Sequence, residues 1–170
     1  MRWAAARPPR RFALTLGAAS LLVLSGCATL KQPSSGTDAK AWTGRLSLKI
    51  ESEPEQTFAA LFDLRGTAET GELTLTSPIG STLAALHWAP GEAALNDGSR
   101  IRRFDSVDEL ILAATGAAIP IGALFGWLDG RDAQVSGWKA ELGQLAQGRL
   151  QARREAPLPR ADLRVIFERA

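Results

Sequence analysis

The sequence predicts a mainly β domain with two helices. Its antiparallel sheet is strongly curved or partly closed, and the helices cover its apolar face. Three observations lead there. Apolar and polar residues alternate at a period of two in segment after segment from residue 42 to residue 88. Short turn-rich stretches join these segments, unlike the strand–helix alternation of a parallel sheet. The period changes to that of a helix only between residues 106 and 130.

In residues 42–50, Trp42, Leu46, Leu48 and Ile50 share one face, with Gly44 in register. Thr43, Arg45, Ser47 and Lys49 share the other, so this strand has one wet face. Glu53-Pro54-Glu55 supplies a turn. Residues 57–64 repeat the pattern with Phe58, Ala60, Phe62 and Leu64. Residues 72–76 turn Leu73 and Leu75 inward, and residues 81–88 follow after a four-residue turn. Residues 93–96 and 100–104 flank Asn96-Asp97-Gly98, a hairpin signal.

Ser106-Val107-Asp108-Glu109 has the form of a capping box, which starts a helix at Val107. Val107, Leu110, Ile111 and Ala114 recur at helical spacing, and Gly116 is the stop. Pro120 opens a second, short helix through Leu124, Trp127 and Leu128, closed by Gly130. Weaker strands fall at residues 134–142, 149–154 and 162–168; in the last, Leu163, Val165 and Phe167 point inward. The total is about nine strands. Between them and two short helices lies either a cavity or a packed core, and pattern alone does not separate the two.

Residues 1–26 read as an export signal rather than part of this fold. Arg2, Arg7, Arg10 and Arg11 make a basic start, and residues 12–24 form an uncharged apolar run. A membrane span needs roughly 20 such residues, so the run is too short to be one. It ends in Leu24-Ser25-Gly26-Cys27, which resembles the lipobox of bacterial lipoproteins, in which the Cys is acylated and becomes the first mature residue. The alternative is an ordinary secretory signal with a chance cysteine beside it. Cys27 is the chain's only cysteine, so no internal disulfide or multi-cysteine zinc site is available.

Cleavage before Cys27 leaves 144 of the 170 residues. The mature chain keeps 16 of 20 basic and all 18 acidic residues, so its formal charge is −2 rather than the full chain's +2. The excess of positive charge, a hint of nucleic acid, belongs to the discarded segment. A mildly acidic domain suits a cationic surface on a partner. Residues 27–40 read as the acylated Cys followed by a flexible tether, and residues 41–170 as the folded domain. Ala28 after the Cys implies delivery to the outer membrane under the enterobacterial sorting rule.

No catalytic residue is assigned. His87 is the only histidine, and the chain has no G-x-S-x-G elbow, P-loop or G-x-G-x-x-G. Asp105, Asp108 and Glu109 suit a helix start, and Asp129 and Asp132 flank a turn. No cofactor and no metal are expected. Arg100, Arg102 and Arg103, and Arg153 with Arg154, are either solvated strand faces or contacts for an acidic partner or lipid headgroups.

One turn departs from ordinary turn chemistry. Ser77, Pro78 and Gly80 suit a tight connection, but Ile79 does not. Either Ile79 folds back onto a neighbour, or it has a role at the tip. The stretch LTLTSPIGST at residues 73–82 resembles the L-T-x-P-L-G-S segment of the outer-membrane lipoprotein receptor LolB family. Further likeness lies in Trp42-Thr-Gly-Arg-Leu, in residues 106–116 with Ile119-Pro120, in Trp127-Leu128-Asp129-Gly130, and in Gly137-Trp138-Lys139. It runs from Trp42 to Trp138 and resumes at residues 163–167. Leu142 stands where the family carries Tyr, the last strand lacks a terminal Trp, and residues 143–160 are short and irregular.

The resemblance implies an incomplete antiparallel β-barrel whose helices lid an apolar cavity. It implies a monomeric, lipid-anchored outer-membrane protein facing the periplasm. Such a protein accepts lipoproteins from the periplasmic carrier LolA, holds their acyl chains and inserts them into the membrane. By position Pro78, Ile79 and Gly80 form the membrane-insertion loop, and Cys27 carries the anchor. Leu46, Leu48, Phe62, Leu73, Leu75, Leu86 and Trp127 are candidates for the cavity wall, though each taken alone suits an ordinary core better. Two rivals stand beside this reading: a lipocalin-like lipoprotein holding a small apolar ligand, and a structural envelope lipoprotein with a filled core.

Overall fold

The computed structural model describes residues 40–169. The strands are β1 (Lys40–Ile50), β2 (Gln56–Gly66), β3 (Gly71–Thr76), β4 (Thr82–Ala89), β5 (Glu92–Asn96), β6 (Ile101–Phe104), β7 (Trp138–Glu141), β8 (Arg149–Arg154) and β9 (Ala161–Arg169). Helices α1 (Val107–Thr115) and α2 (Ile121–Leu128) fall between β6 and β7. The nine strands form one sheet in the order β6-β5-β4-β3-β2-β1-β9-β8-β7. Every neighbouring pair is antiparallel, and β6 and β7 remain edges, so the barrel is incomplete.

Alternation places the core. Leu48 and Ile50 of β1, Phe62 and Leu64 of β2, and Leu73 and Leu75 of β3 are all buried on one face. Leu163, Val165 and Phe167 of β9 join them, because β9 pairs with β1 along nine residues. The helices lie on this face. Ser106 caps α1, its Oγ accepting from the Glu109 N–H at 3.2 Å. Gly116 ends α1 at φ 74°. Pro120 stands at the N-cap of α2, one residue before the helix.

Helix α2 buries six of its eight residues and is apolar all round, which suits a plug rather than a surface helix. Phe125 meets Trp42 edge-on at 5.4 Å and Trp88 at 6.3 Å. Trp127 packs against Trp138 at 6.2 Å. The expected strand at residues 134–142 is narrower in the structure. Gly137 adopts φ 81° beside the carbonyl of Ala156, so only Val135 bridges before β7 begins.

Antiparallel pairing sorts the connections onto two rims. The upper rim carries the β1–β2, β3–β4, β5–β6 and β8–β9 loops. The lower rim carries β2–β3, β4–β5, β7–β8 and the first residue of β1.

Gly44 lies opposite both Phe62 and Phe167, at φ 155°. A Cβ there would collide with the Ile166 carbonyl oxygen and stand 2.8 Å from the Phe167 Cα. Gly44→Ala is expected to lower stability by about 2–4 kcal/mol, read as a lower midpoint in urea unfolding. An unchanged midpoint would show that β1 and β9 do not approach this closely.

Candidate functional site

Under the lid lies an apolar void of about 40 Å³. The sheet contributes Leu46 from β1, Phe62 and Leu64 from β2, Leu73 and Leu75 from β3, and Leu163 and Val165 from β9. The lid contributes Ile111 and Thr115 from α1, Ile119 from the linker, and Ile121, Leu124 and Leu128 from α2. Thr115 is the one hydroxyl in this wall. Its Oγ1 lies 2.8 Å from the Ile111 carbonyl and 3.0 Å from that of Ala117, so its polarity is satisfied by the backbone. A ligand pocket ordinarily measures at least about 300 Å³. In this conformation the lid side chains therefore occupy most of the space a chain would need.

Four of the seven wall candidates, Leu46, Phe62, Leu73 and Leu75, come together here. Leu48 lines a neighbouring cleft with Ile50, Phe58 and Ala114. Leu86 and Trp127 are buried in the core and do not border the void. The sequence reading placed Ile111, Leu124 and Leu128 on the covering helices but did not count them, or Thr115, Ile119 and Ile121, among the wall candidates. A larger recess of about 560 Å³ opens beside β8 and β9, lined by Glu141, Gln144, Arg149, Gln151 and Arg164 among others. Its charges do not suit an alkyl chain. Close by, burial pushes the Asp162 carboxyl up, but hydrogen bonds from Arg164, Gln151 and Arg153 outweigh it and hold it below its usual range.

The two helices are fastened differently. The Arg169 guanidinium donates to the Leu128 carbonyl at 3.2 Å, and Lys40 pairs with Asp129 at 2.6 Å, both at the end of α2. The Trp127 indole donates to the Ala133 carbonyl at 2.9 Å. The side-chain hydrogen bonds of α1 are its cap and the Thr115 contacts, all local. Its hold on the sheet is apolar.

Pro78, Ile79 and Gly80 form the tip between β3 and β4. The Gly80 N–H donates to the Ser77 carbonyl at 2.9 Å, and the Ser77 N–H to that of Ser81 at 2.8 Å. The Ser77 Oγ accepts from the Ser81 N–H at 3.1 Å. Gly80 takes φ 87°, a conformation that suits glycine. Ile79 does not fold back: it is 89% exposed. Cys27, the signal at 1–26 and most of the tether at 27–40 lie outside the described residues.

His87 is exposed on the outer face of β4, opposite Glu72 and Ala94. Among the described residues no three His, Cys, Asp or Glu side chains cluster as metal ligands. No described helix is long and apolar enough to cross a membrane.

Fold and site together define a lidded, open-barrel protein with an apolar interior. The sequence profile described as "Outer membrane lipoprotein LolB" matches residues 40–160, and the chain belongs to that family. It is 34% identical over 143 residues to the outer-membrane lipoprotein LolB of Bordetella petrii, covering 79% of this chain and 69% of that one. The LolB of Shewanella woodyi is 33% identical over 122 residues, 68% of this chain and 57% of its own length. That of Shewanella loihica is 29% identical over 146 residues, 82% and 66% respectively. The chain thus spans 57–69% of the length of these relatives. The family is described as a lipoprotein rather than by a reaction.

Leu73 is buried and borders the void. Leu73→Ala is expected to cost about 2–5 kcal/mol of stability while enlarging the void. Uptake of a short-chain fluorescent fatty acid should rise as the melting temperature falls. A lower melting temperature with unchanged uptake would show that chains do not enter there.

Proposed function

We propose that this chain is an outer-membrane receptor that accepts lipoproteins from the periplasmic carrier LolA. It holds their acyl chains between the sheet and the lid and inserts them into the inner leaflet of the outer membrane. Lipid on Cys27 anchors it there, facing the periplasm. The observation that carries this reading is the wall beneath a two-helix lid, apolar but for the internally bonded Thr115 hydroxyl.

The physics demands such a container. Each methylene leaving an apolar environment costs about 0.8 kcal/mol, so a triacylated cargo with on the order of 45 methylenes faces tens of kcal/mol in water. The chain has no nucleotide-binding motif, so transfer runs downhill through differences in affinity. Helix α1 moves to admit the chains, since only apolar contacts hold it to the sheet. Helix α2 stays, kept by Arg169 and Lys40. Ile79 then enters the bilayer and opens a route for the chains.

Ile79→Glu is expected to leave probe uptake intact, because the side chain packs on nothing, and to lower delivery of cargo into vesicles at least tenfold. Delivery at the wild-type rate would end the assigned role of the tip. Mixing cargo-loaded carrier with this protein should move cargo onto it without nucleotide; retention on the carrier would remove the receptor reading. The small void favours a second reading, a structural lipoprotein with a filled core. That reading predicts no saturable uptake of a fluorescent fatty acid at any concentration.

A further inference from the structure

We propose that Leu158 is a second membrane-contacting tip, so that the upper rim meets a bilayer at two points. This rests on the reading of Ile79 as membrane-facing. Leu158 is 78% exposed, second only to Ile79 among the exposed large apolar side chains described. It sits in the β8–β9 loop, on the same rim as the β3–β4 tip.

The loop is built rather than slack. Arg154 is buried, and its Nε and Nη2 donate to the Pro159 carbonyl at 3.2 and 2.8 Å. Its guanidinium lies 5.7 Å over the Trp138 ring. The Glu155 N–H donates to the Gly137 carbonyl at 3.1 Å, and the Arg160 carbonyl accepts from the Glu51 N–H at 2.9 Å. These contacts fix both ends while leaving Leu158 outside. Little conformational freedom remains to be lost on contact with a partner.

The tip chemistry fits lipid. Pro157-Leu158-Pro159 has one N–H in three residues, because proline has none. The β3–β4 tip is similarly lean: Pro78 has no N–H, and that of Gly80 is already bonded. Backbone donors left unbonded in hydrocarbon are costly, and both tips minimise them. The β5–β6 loop on the same rim shows the contrast, with polar Asn96, Asp97, Ser99 and Arg100. Between the two tips lies the β1–β2 turn with Glu51, Glu53 and Glu55, so they do not join into one apolar patch. A protein partner wants a continuous face, about 800 Å² per side, whereas a bilayer takes isolated tips. Glu55 is paired with Lys49 at 2.9 Å, and the remaining Glu51 and Glu53 favour a zwitterionic over an anionic surface.

Reach permits this. The 13 residues from Cys27 to Lys40 span at most about 45 Å. The 11 residues of β1, from lower rim to upper, span about 37 Å. An anchor at Cys27 and the upper rim can therefore meet one bilayer.

The test uses the full-length lipidated protein in phosphatidylcholine vesicles containing a doxyl-labelled quencher lipid. Once Cys27 is acylated, an introduced cysteine is the only free thiol. An environment-sensitive fluorophore is placed at Leu158→Cys, at Ile79→Cys, or at Glu92→Cys on the lower rim. Labels at 158 and 79 should be quenched at least threefold more than the label at 92. If the label at 79 is quenched and that at 158 matches 92, this inference falls and the Ile79 reading stands. If the label at 92 is quenched most, or none is, both fall.

Discussion

The concave face of an open nine-strand sheet has to be kept from water by two helices of nine and eight residues. Most other features follow from that shortage of cover. A short amphipathic helix shields one stripe, so α2 is apolar on every side and sinks into the sheet as a plug. Aromatic bulk compensates for its length: Phe125 lies between Trp42 and Trp88, and Trp127 against Trp138. Plugging with indoles brings polar N–H groups inside. Those of Trp88, Trp127 and Trp138 donate to the carbonyls of Thr67, Ala133 and Ala118, which tie the β2–β3 loop to β4, α2 to the segment after it, and the α1–α2 linker to β7. The Trp42 indole is buried without a partner. Where the aromatics end and aliphatic side chains from sheet and lid meet, the void remains.

Much of this was legible in the sequence, because alternation is a local signal. The reading of 149–154 as a strand matches β8, and readings at 42–50 and 57–64 differ from β1 and β2 by at most two residues per end. The S-x-x-E start and Gly116 stop bracket α1 as expected. The wall of the void was only half legible. Leu46, Phe62, Leu73 and Leu75 follow from the alternation of early strands. Leu163 and Val165 reach the same wall only because β9 closes against β1 from the far end of the chain, a pairing that no local pattern encodes. Leu86 and Trp127 have the right chemistry and the wrong depth: both lie behind the wall, since a period gives a face and not a distance from a void. Ile79 stood out by misfit, an apolar β-branched residue where a turn needs none, but the misfit left open whether it folds back or stands at the tip, which its exposure decides.

On the proposed receptor reading, the closed void bears on the direction of transfer. An empty apolar cavity of several hundred Å³ would forfeit the dispersion contacts of its lining. Here the lid side chains fill that space, so on the proposed reading an incoming acyl chain would replace lid–sheet contacts instead of entering a vacancy. The gain from burying the chain is then reduced by the cost of displacing α1. A bilayer imposes no such exchange, because its own chains yield without breaking a packed core. The same chain would therefore be held less tightly in this protein than in the membrane by the free energy of lid closure. An α1 fastened by apolar contacts alone would set that difference without fuel, and polar locks on α1 would make it too large for cargo to enter. The division of labour between α1, held by packing, and α2, held also by Arg169 and Lys40, would let such a container fill and still empty.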